Sequence, residues 1–125
     1  MGKYGHAALI ASFYYLYGHV NTPEKAWESA TIIVFGQGTS SQLKGCPRAA
    51  FLGLCEDGLI KGIPQGKYTK SKDNKSYAIK AVQELKKNPS NCNNPDGLWQ
   101  IVAGNKAKNN QIDVVLTLWI NGLML

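Results

Sequence analysis

At 125 residues, 44% hydrophobic and with a net charge of +6, the chain has the size of one ordinary domain and enough apolar residues to bury a core without a staple. Three cysteines without a C-x2-C spacing exclude a zinc module, and His6 and His19, 13 residues apart, argue against a shared metal site. No stretch approaches the roughly 18 apolar residues of a membrane span, so a soluble protein in a reducing cytoplasm, without cofactor, is expected.

The first helix is predicted from about Tyr4 to Tyr17, ended by Gly18. Lys3 before the apolar run imitates a signal peptide, but Gly18-His19-Val20 supplies no small-x-small cleavage site. Leu9, Ile10, Phe13, Tyr14, Tyr15, Leu16 and Tyr17 cover the whole circumference. Such a helix is either central to the fold or meets a second copy of the chain, a homodimer being the simplest closed form.

Thr22 opens the second helix as an N-cap, followed by Pro23 in the first turn and Glu24 at the positive end of the helix dipole. Gly36 to Gly45 is the longest irregular stretch in the first half. The third helix is predicted to open at Cys46-Pro47, with Cys46 as its cap, and to close at Gly58, a glycine C-cap whose following Leu59 folds back. A connector runs from Gly62 to Asp73.

The fourth helix, about Asn74 to Lys87, carries Tyr77, Ala78, Ala81, Val82 and Leu85 on one face. The fifth starts at Asn94-Pro95-Asp96 and ends at Gly104; the sixth runs from Asn110, capped with Asp113, to about Asn121. Thr31 to Val34 and Ile112 to Leu118 are β-branched enough to read as strands, but clean caps and glycine stops decide for helix. The expected fold is all-α, a six-helix compact bundle forming a single domain over 1–125.

Two halves, about 4–60 and 75–124, repeat one another. Leu52-Gly53-Leu54-Cys55-Glu56-Asp57-Gly58-Leu59-Ile60 aligns with Leu116-Thr117-Leu118-Trp119-Ile120-Asn121-Gly122-Leu123-Met124 at an offset of 64. Thr22-Pro23-Glu24…Trp27 aligns with Asn94-Pro95-Asp96…Trp99 at 72, and Tyr4…Ala8 with Tyr77…Ala81 at 73. Three matches in one order point to a duplicated three-helix unit in which Trp27 and Trp99 are core anchors.

Differences between the halves are then where function would be added. Only the first half carries Cys46, the lone arginine Arg48 and Glu56 in its third helix. Arg48 and Glu56, eight residues apart, lie on nearly one face, and these three are the candidate ligand-binding residues. Cys46 and Cys55 stand about 13 Å apart along a straight helix, too far for a disulfide. Thiol-dependent activity at Cys46 is the weaker alternative, because no histidine is near to act as base.

Between Lys61 and Lys80 there are six lysines against one acid, a local balance of +5. Lys67, Lys70, Lys72 and Lys75 with Tyr68 are candidates for weak, sequence-tolerant nucleic-acid contact, with Tyr77 as a further stacking residue. A solvated lysine-rich loop accounts for the same residues.

The run from Gly45-Cys46-Pro47-Arg48 through Gly62-Ile63-Pro64, with Tyr68-Thr69 and Asn74 to Tyr77, resembles an uncharacterised family of small bacterial proteins, some carried on mobile gene cassettes. That resemblance reaches from Lys3-Tyr4-Gly5 to Trp119 and implies a compact intracellular bacterial domain, with no activity to carry over. The leading expectation is a small binding or adaptor protein without catalysis, whose partner is a protein or a small anionic ligand. No acid/base pair, metal cluster or phosphate-binding glycine loop is recognisable, and no catalytic residue is named.

Overall fold

A computed structural model describes residues 2–125 as six helices: α1 (Lys3–Leu16), α2 (Pro23–Phe35), α3 (Gly45–Glu56), α4 (Lys72–Lys87), α5 (Pro95–Ala103) and α6 (Gln111–Ile120). A short 3-10 helix, Pro89–Asn93, links α4 to α5. The segments of ambiguous type, Thr31 to Val34 and Ile112 to Leu118, are helical. Extended pairing among the described residues is limited to one antiparallel bridge, Ile60 to Met124.

Local chemistry sets the boundaries. Thr22 accepts a hydrogen bond from the Lys25 N–H at 3.2 Å, and Asn94 accepts one from the Gly97 N–H at 3.1 Å, each with proline next in sequence. At the far ends, Gly58 and Gly122 take φ of 69° and 72°, the left-handed region that glycine enters without steric cost. Leu59 N–H then returns to the Leu54 carbonyl and Leu123 N–H to the Leu118 carbonyl, both at 3.0 Å.

Three expected boundaries differ. Helix α3 begins at Gly45 behind Lys44, so Cys46 lies inside the first turn instead of capping it, and Pro47 is third instead of first. Helix α4 starts two residues before the expected Asn74. Asn110 does not cap α6: it sits at φ 69° with no side-chain capping bond. Asp113, expected to complete that cap, accepts from Gly2 N–H at 2.8 Å and Gly5 N–H at 2.7 Å and so caps α1.

Packing runs across the two halves. Helix α1 lies against α2 and α6, α4 against α3 and α5, and α3 meets α6. The first helix of each half thus rests on the third helix of the other. Glycine makes both crossings close, since a Cβ on Gly5 would meet the Asp113 carbonyl at 2.8 Å and one on Gly53 would meet Lys75 Cα at 2.8 Å. The core between them holds Trp27, Phe51, Leu52, Leu54, Leu85, Leu98 and Leu118.

Helix α1 is not wrapped on every side. It buries Tyr4, Gly5, Ala7, Ala8, Ala11 and Ser12 and turns its C-terminal large residues outward, leaving Phe13, Leu16 and Tyr17 at 39%, 40% and 74% exposure. Small side chains allow α1 to approach its neighbours; Tyr4 is buried and Tyr15 packs against the core, while Phe13 and Tyr17 face away.

Candidate functional site

Helix α2 fixes the inner wall of a groove. Its cap and proline set the start, Ala26, Trp27, Ala30 and Thr31 form the buried stripe, and Trp27 stacks on Phe51 of α3 with ring centroids 5.3 Å apart. Trp27 is 1% exposed, so α2 and α3 are locked together at that contact. The connector between them, residues 36–44, forms the outer wall.

That connector is held by its own side chains. Gln42 donates from its amide to Thr31 Oγ1 at 3.2 Å and accepts from the Gly38 N–H at 3.2 Å. Tyr4 of α1 donates to the Ser41 carbonyl at 2.8 Å. A groove of about 490 Å³ remains between α2, the connector and α3, lined by Trp27, Glu28, Ile32, Gln42, Leu43 and Arg48. Its size is that of sites for small organic ligands.

Two of the residues lining the groove carry chemistry. Arg48 is exposed, and none of the ion pairs among the described residues uses it, Glu28 on the same groove included. The Trp27 indole N–H is buried and has no protein partner. Glu24, one turn earlier, has a buried carboxylate oxygen in the same condition, but it does not line the groove.

In the second half the corresponding tryptophan is satisfied. Trp99, 3% exposed, donates its indole N–H to the Lys106 carbonyl at 2.7 Å, within the connector 104–110. A cavity of about 470 Å³ lies there too, with Trp99, Ile112 and Leu116 in its wall and Cys92 and the Lys108–Asp96 ion pair beside them. Ile112 stands where Arg48 stands in the first half. Each cleft thus has a tryptophan in its wall, and only in the α2–α3 groove is the indole N–H without a partner.

The remaining candidates disperse. Glu56 accepts from Lys75 at 3.2 Å, and Lys75 also pairs with Asp57 at 2.9 Å, so the acid expected beside Arg48 is committed at the other end of α3. Those contacts, Asp57 first, hold the Lys75 ammonium above its ordinary range against the opposing pull of desolvation. Cys46 is half-buried and outside the groove; Cys55 is fully buried, and burial, then the Glu24 charge, push its thiol up. All three cysteines are free.

Of the basic segment, Lys67, Lys70 and Lys72 are exposed, and Lys72 and Lys80 flank a shallow groove on α4. Lys75 is spent on its two acids. Tyr68 is half-buried with its hydroxyl donated to the Pro64 carbonyl at 2.8 Å, and Tyr77, also half-buried, packs edge-on to Trp99. No cluster of three or more His, Cys, Asp or Glu able to hold a metal exists among the described residues, and no helix there is long and apolar enough to cross a membrane.

Arg48, a candidate from the sequence, lies at this groove beside the long connector, whereas Trp27 was expected only as a core anchor. The signal available was the unequal length of the two connectors, since a carbonyl that serves one tryptophan need not reach the other. The α5–α6 cavity had no counterpart among the expectations. A family model described as a family of unknown function (DUF6979) matches residues 1–125. No curated protein and no solved structure matches the chain.

Proposed function

Because the chain belongs to this family of unknown function, we propose from its own residues that it is a small binding protein without catalytic activity, holding an anionic ligand at Arg48 in the α2–α3 groove. The observation that carries this reading is the lone arginine standing unpaired at a concave, partly apolar site. A guanidinium is always charged and presents a planar fork that fits oxyanions, so an exposed one without a carboxylate is the natural anchor for an incoming anion. Separation of Glu56 and Cys46 from the groove favours holding over conversion.

The working compartment in this reading is a reducing bacterial cytoplasm, in keeping with three unpaired thiols. Carriage on a mobile gene cassette belongs to the same proposal and is checked by the gene's neighbourhood. Titration of the labelled protein with small anions should perturb groove residues saturably, and Arg48→Gln should weaken this at least tenfold while leaving the circular dichroism unchanged. Anions that perturb nothing would end the proposal. Cys46→Ser should leave folding and binding intact; an activity lost with that thiol would make the protein an enzyme instead.

A second reading is favoured by the exposed Lys67, Lys70, Lys72 and Lys80 around the start of α4. Lysine without arginine suits weak phosphate contact with nucleic acid, without base readout. Oligonucleotide titration at two salt concentrations tests it, with a Lys67/Lys70/Lys72 triple alanine variant expected to lose the binding.

A further inference from the structure

We infer that the anion is a monocarboxylate with an apolar body, one oxygen of which takes the Trp27 indole N–H while the group as a whole pairs with Arg48. The inference rests on the anion-binding reading above and adds the second contact and the ligand class.

Its first support is the contrast between the two tryptophans. Trp99 donates to Lys106 at 2.7 Å because the connector 104–110 folds back over it. The connector 36–44 is instead drawn to α2 by Gln42 on Thr31 and to α1 by Tyr4 on Ser41, and none of its carbonyls reaches Trp27. A buried donor left without an acceptor costs free energy that a ligand oxygen recovers on binding. Trp27 lines the groove, as does Arg48.

Charge selects among anions. One arginine is the only cationic side chain lining the groove, and Glu28 lines it too, so the site is electrically balanced before a ligand arrives. A singly charged carboxylate matches one guanidinium in a two-bond fork, whereas a doubly charged phosphate would meet a carboxylate with no second cation to offset it. Ile32, Leu43 and the Trp27 ring supply apolar contact for the rest of the molecule.

The test is a heteronuclear titration of the full chain with phenylacetate, isovalerate, phenylacetamide and inorganic phosphate, reading the three indole N–H signals of Trp27, Trp99 and Trp119. Phenylacetate or isovalerate should move the Trp27 signal saturably and leave Trp99 in place. The neutral phenylacetamide should bind at least tenfold more weakly, and Arg48→Gln should weaken the carboxylates by a similar factor without altering the Trp99 signal. A carboxylate that binds through Arg48 while the Trp27 signal stays fixed overturns this inference and leaves the anion site standing. Tighter binding of phosphate than of either carboxylate also overturns it. If no probe binds, both fall.

Discussion

Cys55 and Lys75 show how single side chains here answer to partners far away in sequence. The Cys55 thiol is buried, with its pKa raised by burial and by Glu24, whereas Cys46 and Cys92 are half-buried. Under native conditions iodoacetamide should therefore modify Cys46 and Cys92 first and Cys55 only after unfolding, as intact mass resolves; equal rates at all three would contradict the packing. Lys75 has its pKa raised in the folded state, by Asp57 first, so its contribution is complete below the ordinary lysine range and lost as pH climbs through the folded value. Lys75→Met, which keeps the stem packed on Gly53, should cost about 1 kcal/mol near neutrality, and the gap to the parent protein should close in strongly alkaline buffer when both are melted in parallel. Arg48 was legible beforehand because it is unique. The commitment of Glu56 was not, because its partner comes from another helix 19 residues on. The unpartnered Trp27 N–H was not legible either, since it depends on where the connector's carbonyls point.

Helix type and number were readable because caps and glycine stops act within a few residues. Where the chain departs from that reading, a distant group has intervened: Asp113 leaves its expected cap on α6 to take two N–H groups of α1, and Asn110 is left in the left-handed region. Gly122 gives a clean measure of one stop signal, because a Cβ there would meet nothing within 4 Å and only the backbone conformation resists. Gly122→Ala should lower unfolding free energy by about 1 kcal/mol in urea melts, and no loss would mean that the turn relaxes into another conformation. The outward aromatic side of α1 belongs to the same scale. Residues Phe13, Leu16 and Tyr17 leave an apolar strip that a second copy would cover, so light scattering across micromolar concentrations is expected to give twice the chain mass, and Tyr17→Lys with Phe13→Lys to return it to the single value. A constant single mass for the parent protein would leave the strip unpaired.

Across the whole molecule the two halves exchange equivalent bonds. Lys61 N–H donates to the Leu123 carbonyl at 2.8 Å and Leu125 N–H to the Leu59 carbonyl at 2.9 Å, and the offset of 64 that aligns the sequences turns one bond into the other. Superposing residues 4–60 on 77–124 is expected to match helix order and crossing angles; a mismatch would reduce the sequence matches to chance among amphipathic helices. The interlock itself was invisible in the sequence, because matching segments say which units are alike and nothing about which unit each one rests on. It also bears on how the chain closes on itself. Helix α1 finds the acid that caps it 108 positions downstream, and α6 rests on α1, α3 and α4 together. Contacts of such long range delay the rate-limiting step, since the loop between them must close before either side gains. The neighbouring pairs α1–α2 and α3–α4 are the most closely packed and need only short loops to form, whereas the cap of α1 is complete only once the first helix meets the last.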